Sequence, residues 1–223
     1  MLIYVTIFLF GGIFMSKVLL INGSPKSNGC TFTALNEMIK IFTNEGIESE
    51  LFHIGNKNIR GCIGCSSCRE TGKCVFDNDI VNETAKKFEK ADGLVVGSPV
   101  YYASPNGTLI SFMDRLMYST NFSKHMKVGA AIVNARRGGN TATFDVLNKY
   151  FLISGMPVAS GTYWNMTHGF TPEDVQKDKE GLQCMRNLAR NMAFMIKAFN
   201  DAKEKYGLPQ VEQSFFTSFP DGK

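Results

Sequence analysis

Residues 61–74 read GCIGCSSCRETGKC, and within them Cys62, Cys65, Cys68 and Cys74 fall at a C-x2-C-x2-C-x5-C spacing. Thiolates this close can pair as disulfides, hold a metal ion, or cradle an iron–sulfur cluster. A cubane [4Fe–4S] cluster needs four thiolates converging on one small cage. Three cysteines separated by two residues each can wrap it while a fourth arrives a turn later. Gly61, Gly64 and Gly72 let the backbone bend tightly and turn N–H groups toward sulfur. Structural zinc normally draws paired knuckles from two separated places, whereas Cys65 is common to both C-x-x-C pairs here. Disulfide scaffolds belong to secreted chains too short to build a core. This chain has 223 residues and six cysteines, of which Cys30 and Cys184 stand far apart. The cysteine-rich segment therefore reads as thiolates kept reduced in the cytoplasm.

Three polar loops carry the rest of the candidate chemistry. Gly23 to Thr31, GSPKSNGCT, supplies hydroxyls, a lysine and the free N–H groups of a helix start, which together make an anion site suited to a phosphate. It is neither a Walker A motif, since Cys30 stands where the lysine is required, nor G-x-G-x-x-G. Ser98 to Gly107, SPVYYASPNG, combines two prolines with two tyrosines. Such a stiff, aromatic loop suits a planar heteroaromatic ring, although tyrosines of this kind also fill cores. Asn134 to Asn140, NARRGGN, joins a glycine pair to two arginines, able to meet a ligand's acceptor edge and stabilise negative charge. One arginine of the pair is expected to be merely solvated.

These loops need strands and helices to hold them. Lys17–Asn22, Gly93–Pro99 and Lys127–Asn134 are apolar runs suited to strands buried on both faces. Ile47–Ile54 alternates like an outer strand, and Pro157–Thr162 is expected as a fifth. Helical spacing marks Thr31–Asn44, Asp79–Ala91, Thr108–Met117, Thr141–Leu152 and Gly181–Tyr206. Strands alternating with helical crossovers call for a doubly wound, mostly parallel α/β sheet, in which ligands bind outside the carboxyl ends of the strands. All three loops then lie on that edge. The cysteine loop, leaving the second strand, is expected there too.

The net charge of +4 is spread without a Lys/Arg block, so nothing marks a nucleic-acid-binding face. Residues 1–14 are apolar but short of the roughly 20 residues that span a bilayer, and they lack a signal peptide's basic start and cleavage site. They read as a start-site artefact ahead of Met15, with a short membrane anchor as the alternative. One domain is expected over residues 15–206, with a cysteine-rich insert at 61–79 and a tail at 207–223 carrying Phe215, Phe216 and Phe219. His53, His125 and His168 are isolated and read as structural or solvated. Asp114-Arg115 reads as an ion pair or an interface contact on a helix.

NGSPKSNGCT, GSPVYYASPNGTLISFMDR and GLQCMRNLARNMAFMIK together resemble the NADPH-dependent FMN reductase group of the flavodoxin-like superfamily. With the cysteine spacing added, the chain resembles the iron–sulfur flavoproteins, from about Met15 to Tyr206. The resemblance implies a flavodoxin-like five-stranded sheet in the order 2-1-3-4-5. It implies that Ser24, Lys26, Asn28, Gly29 and Thr31 hold the FMN phosphate. Pro99, Val100, Tyr101, Tyr102 and Ser104 would line the isoalloxazine, and Asn134, Ala135, Arg136, Gly138 and Gly139 its pyrimidine edge. Arg136-Arg137 departs from the glycine-rich segment common at this point in the family. Cys62, Cys65, Cys68 and Cys74 would ligate a [4Fe–4S] cluster, although relatives also keep such cysteines as cluster-free thiols. Trp164 and His168 fall where a relative would shape the substrate mouth. The implied activity is NAD(P)H oxidation with electrons passed to a quinone, flavin or other small acceptor, in a homodimer or homotetramer. A ferredoxin-linked electron carrier and a thiol or metal sensor on the same scaffold are the alternatives.

Overall fold

The computed structural model describes residues 16–213 and 215. The leader at 1–14, the start at Met15, and Phe216 and Phe219 lie outside them. Five strands run parallel: β1 (Lys17–Asn22), β2 (Glu48–His53), β3 (Gly93–Tyr101), β5 (Val128–Ala135) and β6 (Met166–His168). Their order is β2-β1-β3-β5-β6, and the two-residue β4 (Ser104–Pro105) folds back antiparallel on the end of β3. Counting the parallel strands alone, this is the expected 2-1-3-4-5 order.

Side chains alternate across a strand, so each central strand feeds two cores. Val18 and Leu20 of β1 pack with Val95, Val128 and Ile132 beneath α1 (Cys30–Asn44) and α7 (Lys179–Tyr206). Leu19 and Ile21 face the other way, joining Leu94, Val96 and Val133 beneath α3 (Val81–Glu89), α4 (Gly107–Ser119) and α5 (Asn140–Ile153). Each fully buried aliphatic side chain contributes about 1.5–3 kcal/mol. This two-faced burial forces the strand ends, and hence the loops, onto a common edge. Helix α1 ends at Asn44, two residues before Gly46, whose φ of 71° turns the chain away. Asn106 caps α4, its side chain accepting from the N–H groups of Thr108 and Leu109.

Three departures from the sequence expectation bear on the site. The fifth parallel strand is Met166–His168, not Pro157–Thr162. Pro157 and Ala159 do bond to Gly129, but that pairing is one isolated bridge before the chain bulges away and rejoins β5 at Asn165. A strand at a sheet edge needs only half its backbone groups paired, so it tolerates the interruption. Second, the loop after β3 is a hairpin: Tyr101 pairs with Ser104 across Tyr102 and Ala103, both at positive φ. Third, α6 (Pro172–Lys177) precedes α7, started by a capping box between Thr171 and Asp174 with Pro172 in its first turn. Helix α2 (Cys68–Thr71) is a single turn inside the cysteine segment. No helix among the described residues is long and apolar enough to cross a membrane.

Candidate functional site

The loop from β1 to α1 is built around Asn22, buried at the strand's end. Its Oδ1 accepts the Ser24 N–H at 3.1 Å and its Nδ2 donates to the Ser27 carbonyl at 3.2 Å. Gly23 donates its N–H to Gly97 O at 2.8 Å, and a Cβ there would lie 2.5 Å from Leu109. His53 Nε2 sits 2.8 Å from the Ser24 carbonyl, so that nitrogen carries the proton. The loop is thus tied to β3 and β2, and delivers the chain to α1 with no side chain capping its first N–H groups. The Thr31 hydroxyl is buried at that same helix start without a hydrogen-bond partner among the described residues. Buried polar atoms are rarely left this way, because each costs about 1–3 kcal/mol.

A cleft of about 310 Å³ opens above this helix start. Ser24, Lys26, Gly29, Cys30 and Thr31 form one wall, Pro99, Val100 and Tyr101 a second, and Asn134, Ala135 and Arg136 a third. Asn134 is held by its Nδ2 donating to Thr167 O and Oγ1 across β6. Phe170, three-quarters exposed, and Gly169 close the mouth from the loop after β6. Cys30 turns its thiol toward Gly169 O, and burial pushes that thiol's pKa up despite Lys26 nearby. Backbone donors, a buried hydroxyl and two cations around an uncapped helix start can bind an anion.

The four clustered cysteines surround a second, much smaller hollow, together with Ile63, Phe76, Arg115 and Tyr118. All six cysteines of the chain are unpaired. Gly64, Ser66 and Gly72 take positive φ, giving the segment its tight turns. Cys62 and Cys65 are exposed while Cys74 is buried. Cys65 is pulled below the ordinary thiol pKa by hydrogen bonds from the backbone and side chain of Ser67. Arg115, 1% exposed, donates Nε–H to Cys74 Sγ at 3.2 Å and pairs with Asp79. Burial opposes its charge, yet the bonds to Asp79 and Cys74 outweigh that and raise the guanidinium pKa. The thiols share a hollow without converging on one point: no group of three metal-ligating side chains among the described residues is set to hold an ion.

The hollow is not on the edge where sequence reasoning put it. The insert leaves β2 at that edge but lies against Arg115, Tyr118 and Ser119 of α4. Arg115 is eight residues past Gly107, about 12 Å down the helix at 1.5 Å per residue. The cleft and the hollow share no lining residue. Strand order fixes where a loop begins, not where its far end settles.

Comparison with known proteins follows the cleft closely. The family described as NADPH-dependent FMN reductase matches residues 16–171, which carry all three cleft walls. The chain belongs to this family. Membership makes it a flavin-binding oxidoreductase. It is 35% identical to an iron–sulfur flavoprotein of Methanocaldococcus jannaschii, over 81% of this chain and 97% of that one. It is 27% identical to an iron–sulfur flavoprotein of Methanosarcina thermophila, over 85% of this chain and 100% of that one. Among solved structures, RosB with a bound riboflavin-phosphate intermediate superposes with a TM-score of 0.66 at 13% identity, covering 92% and 93% of the two chains. An archaeal flavodoxin gives 0.54 at 16% identity, covering 82% of this chain and 99% of its own. These structural likenesses establish the flavodoxin-like fold.

Within this family member, ten of the residues expected to contact a flavin line the cleft: Ser24, Lys26, Gly29, Thr31, Pro99, Val100, Tyr101, Asn134, Ala135 and Arg136. Asn28, Tyr102, Ser104, Gly138 and Gly139 do not. Tyr102 is fully exposed at the hairpin tip, and Gly139 instead braces that hairpin from below. Arg137 stays in solvent, as expected for one of the pair. Pro25 and Cys30, in the first loop but not among the expected contacts, also line the cleft, while Gly169, Phe170 and Pro172 were missed because placing them requires knowing that β6 ends at His168. The capping signal T-P-E-D at Thr171–Asp174 would have located that loop. Trp164 and His168, expected near the mouth, line a separate small hollow beside Cys184.

Proposed function

We propose that this protein is an FMN-dependent NAD(P)H oxidoreductase of the iron–sulfur flavoprotein type, passing electrons to a quinone, a flavin or another small acceptor. The observation that carries the reading is the buried Thr31 hydroxyl, without a partner among the described residues, beside the uncapped start of α1. That pair fits a phosphate dianion. The cleft volume also falls in the range of small-ligand pockets, roughly 300–1,000 Å³.

In this reading Ser24, Lys26, Gly29 and Thr31 grip the FMN phosphate through hydroxyls, backbone N–H groups and one ammonium. Pro99, Val100 and Tyr101 flank the ring, and Ala135 and Arg136 meet its polar edge, where the guanidinium favours negative charge. Bound FMN supplies hydride acceptance and single-electron release. The side chains position the ring and exclude water from one face, and none needs to act as a nucleophile. Phe170 at the mouth offers an apolar surface to an incoming nicotinamide or acceptor.

Cys62, Cys65, Cys68 and Cys74 would hold a [4Fe–4S] cluster. The donor chemistry fits, since four unpaired thiols line one hollow that a cluster would draw them around, with Arg115 already donating to one of them. Such a cluster supplies one-electron transfer. A reducing cytoplasm suits the six unpaired cysteines. Assembly into dimers or tetramers belongs to the same reading, supported by exposed Ile63, Tyr118 and Ile153 beside the cysteine segment.

The test is purification without oxygen, followed by an absorption spectrum, flavin extraction, and iron and sulfide analysis. Bound FMN bleached rapidly by NADPH or NADH is the expected result. Colourless protein that does not take up FMN would overturn the reading, and bleaching by reduced ferredoxin alone would make the protein a carrier.

A further inference from the structure

Arg115 is the most deeply buried charge near the cysteines, and its bonding is complete. A guanidinium has five N–H donors. Here Nε donates to Cys74 Sγ at 3.2 Å, Nη1 to Asp79 Oδ2 and to Arg60 O at 3.3 Å, and Nη2 to Phe76 O at 3.1 Å and Asp79 Oδ1 at 3.2 Å. Every acceptor lies between residues 60 and 79, so one side chain of α4 gathers the whole cysteine insert. Asn82 completes the grip on Cys74, its amide exchanging hydrogen bonds with the Cys74 N–H and carbonyl at 3.0 and 2.9 Å. Cys65 accepts from the Ser67 backbone and hydroxyl, but neither it nor Cys62 or Cys68 meets a charged hydrogen-bond donor among the described residues, and all three lie open to solvent or half so.

We propose that Arg115 is a positioning residue that makes Cys74 the electrostatically distinct member of the four thiols, tuning the reduction potential of the cluster they hold. The inference rests on the cluster reading above. An N–H bonded to a ligand sulfur favours the more negative, reduced state, which raises the potential. Asp79 works against it. Its carboxylate neutralises much of the guanidinium charge at the same site, so the pair is poised between two opposing effects. Replacing either partner alone therefore moves the potential, and in opposite directions. A side chain that only held the insert's shape would not produce that pattern, since both losses would loosen the same segment.

The experiment uses full-length protein, loaded with iron and sulfide under anaerobic conditions, as wild type, Arg115→Gln, Arg115→Lys and Asp79→Asn. Iron and sulfide content, FMN content and thermal midpoint are recorded, and the cluster's potential is titrated by its paramagnetic-resonance signal. At a fixed potential, Arg115→Gln is expected to lower the ratio of reduced to oxidised cluster about tenfold, equivalent to about 59 mV for one electron. Asp79→Asn is expected to raise it, and Arg115→Lys, keeping the charge without the planar fork, to lie nearer wild type. If the buried Arg115→Gln change prevents folding, Arg115→Lys, expected to lower the potential by a smaller but measurable step, and Asp79→Asn carry the comparison. Potentials that coincide with wild type, or that move the same way in both single changes, overturn the inference while leaving the cluster intact. Wild-type protein that takes up no iron and sulfide overturns the cluster reading, and this inference falls with it.

Discussion

Gly139 stands so close to Ala103 that a Cβ added to it would lie 2.9 Å from the Ala103 Cα and 2.9 Å from Val100 Cγ1. The loop after β5 thus supports the hairpin that supplies the cleft's second wall, and glycine is required twice over, since its φ is 91°. Gly139→Ala is expected to cost about 1–3 kcal/mol of stability, and to weaken FMN binding about tenfold by displacing Val100. Chemical denaturation and flavin-fluorescence titration measure the two effects. Full FMN affinity in a correctly folded variant would show that the bracing does not matter to the cleft.

Thr31→Val separates binding from folding. The hydroxyl has no hydrogen-bond partner among the described residues, so its removal is expected to leave the melting temperature unchanged or slightly higher. A hydrogen bond to a charged phosphate contributes about 1.5–3 kcal/mol, so FMN should dissociate at least about tenfold more readily. Thr31→Ser should restore affinity. A Val variant that binds FMN as tightly as wild type would remove the phosphate from this helix start.

The hairpin tip carries backbone strain that can be relieved. A two-residue turn with positive φ at both positions prefers Asn-Gly, and here it is Tyr102-Ala103, at 51° and 56°. Replacing the pair by Asn-Gly is expected to stabilise the protein by about 2 kcal/mol, the low end of what two strained residues store. Urea unfolding curves read this directly. An unchanged midpoint would mean that Tyr102, although fully exposed, contributes contacts that offset the strain.

Glu50 links β1, β2 and α3 through Lys87 at 2.6 Å and Lys17 at 2.9 Å. Hydrogen bonds from Lys87 and then Lys17 hold its carboxyl below the usual range. Because the folded pKa is the lower one, its stabilisation is fully present above the unfolded value, about 4.3. It is lost as the pH falls through the folded value. Glu50→Gln is expected to cost about 0.5–1 kcal/mol at pH 7, and to match wild type at strongly acidic pH. Equal differences at both ends of the range would assign Glu50 a purely packing role.

Buried strands and amphipathic helices were the most legible elements. Each of β1, β3 and β5 is a run too apolar for a surface, and their edges fell within two residues of expectation. By contrast, β6 is Met-Thr-His, with nothing in its composition to distinguish it from a loop. Pro157–Ala159, more strand-like in sequence, makes only one bridge. Arg115 could be foreseen as half of an ion pair, but not as the hub of contacts to a segment reaching 55 residues back to Arg60. A long polar side chain is buried only where other segments bring it acceptors, and that is a property of packing.

What the sequence by itself determined is the central buried strands, the helices that cover them and the polar loops at their carboxyl ends, because alternation and apolar runs allow few arrangements when two faces must both be covered; the strand order and the flavin-lining residues came with the family resemblance. Tertiary structure alone decided where the cysteine insert rests, how the hairpin closes after β3, and that Phe170 reaches the mouth. Those outcomes depend on contacts between residues far apart in the chain, whose geometry no local pattern encodes.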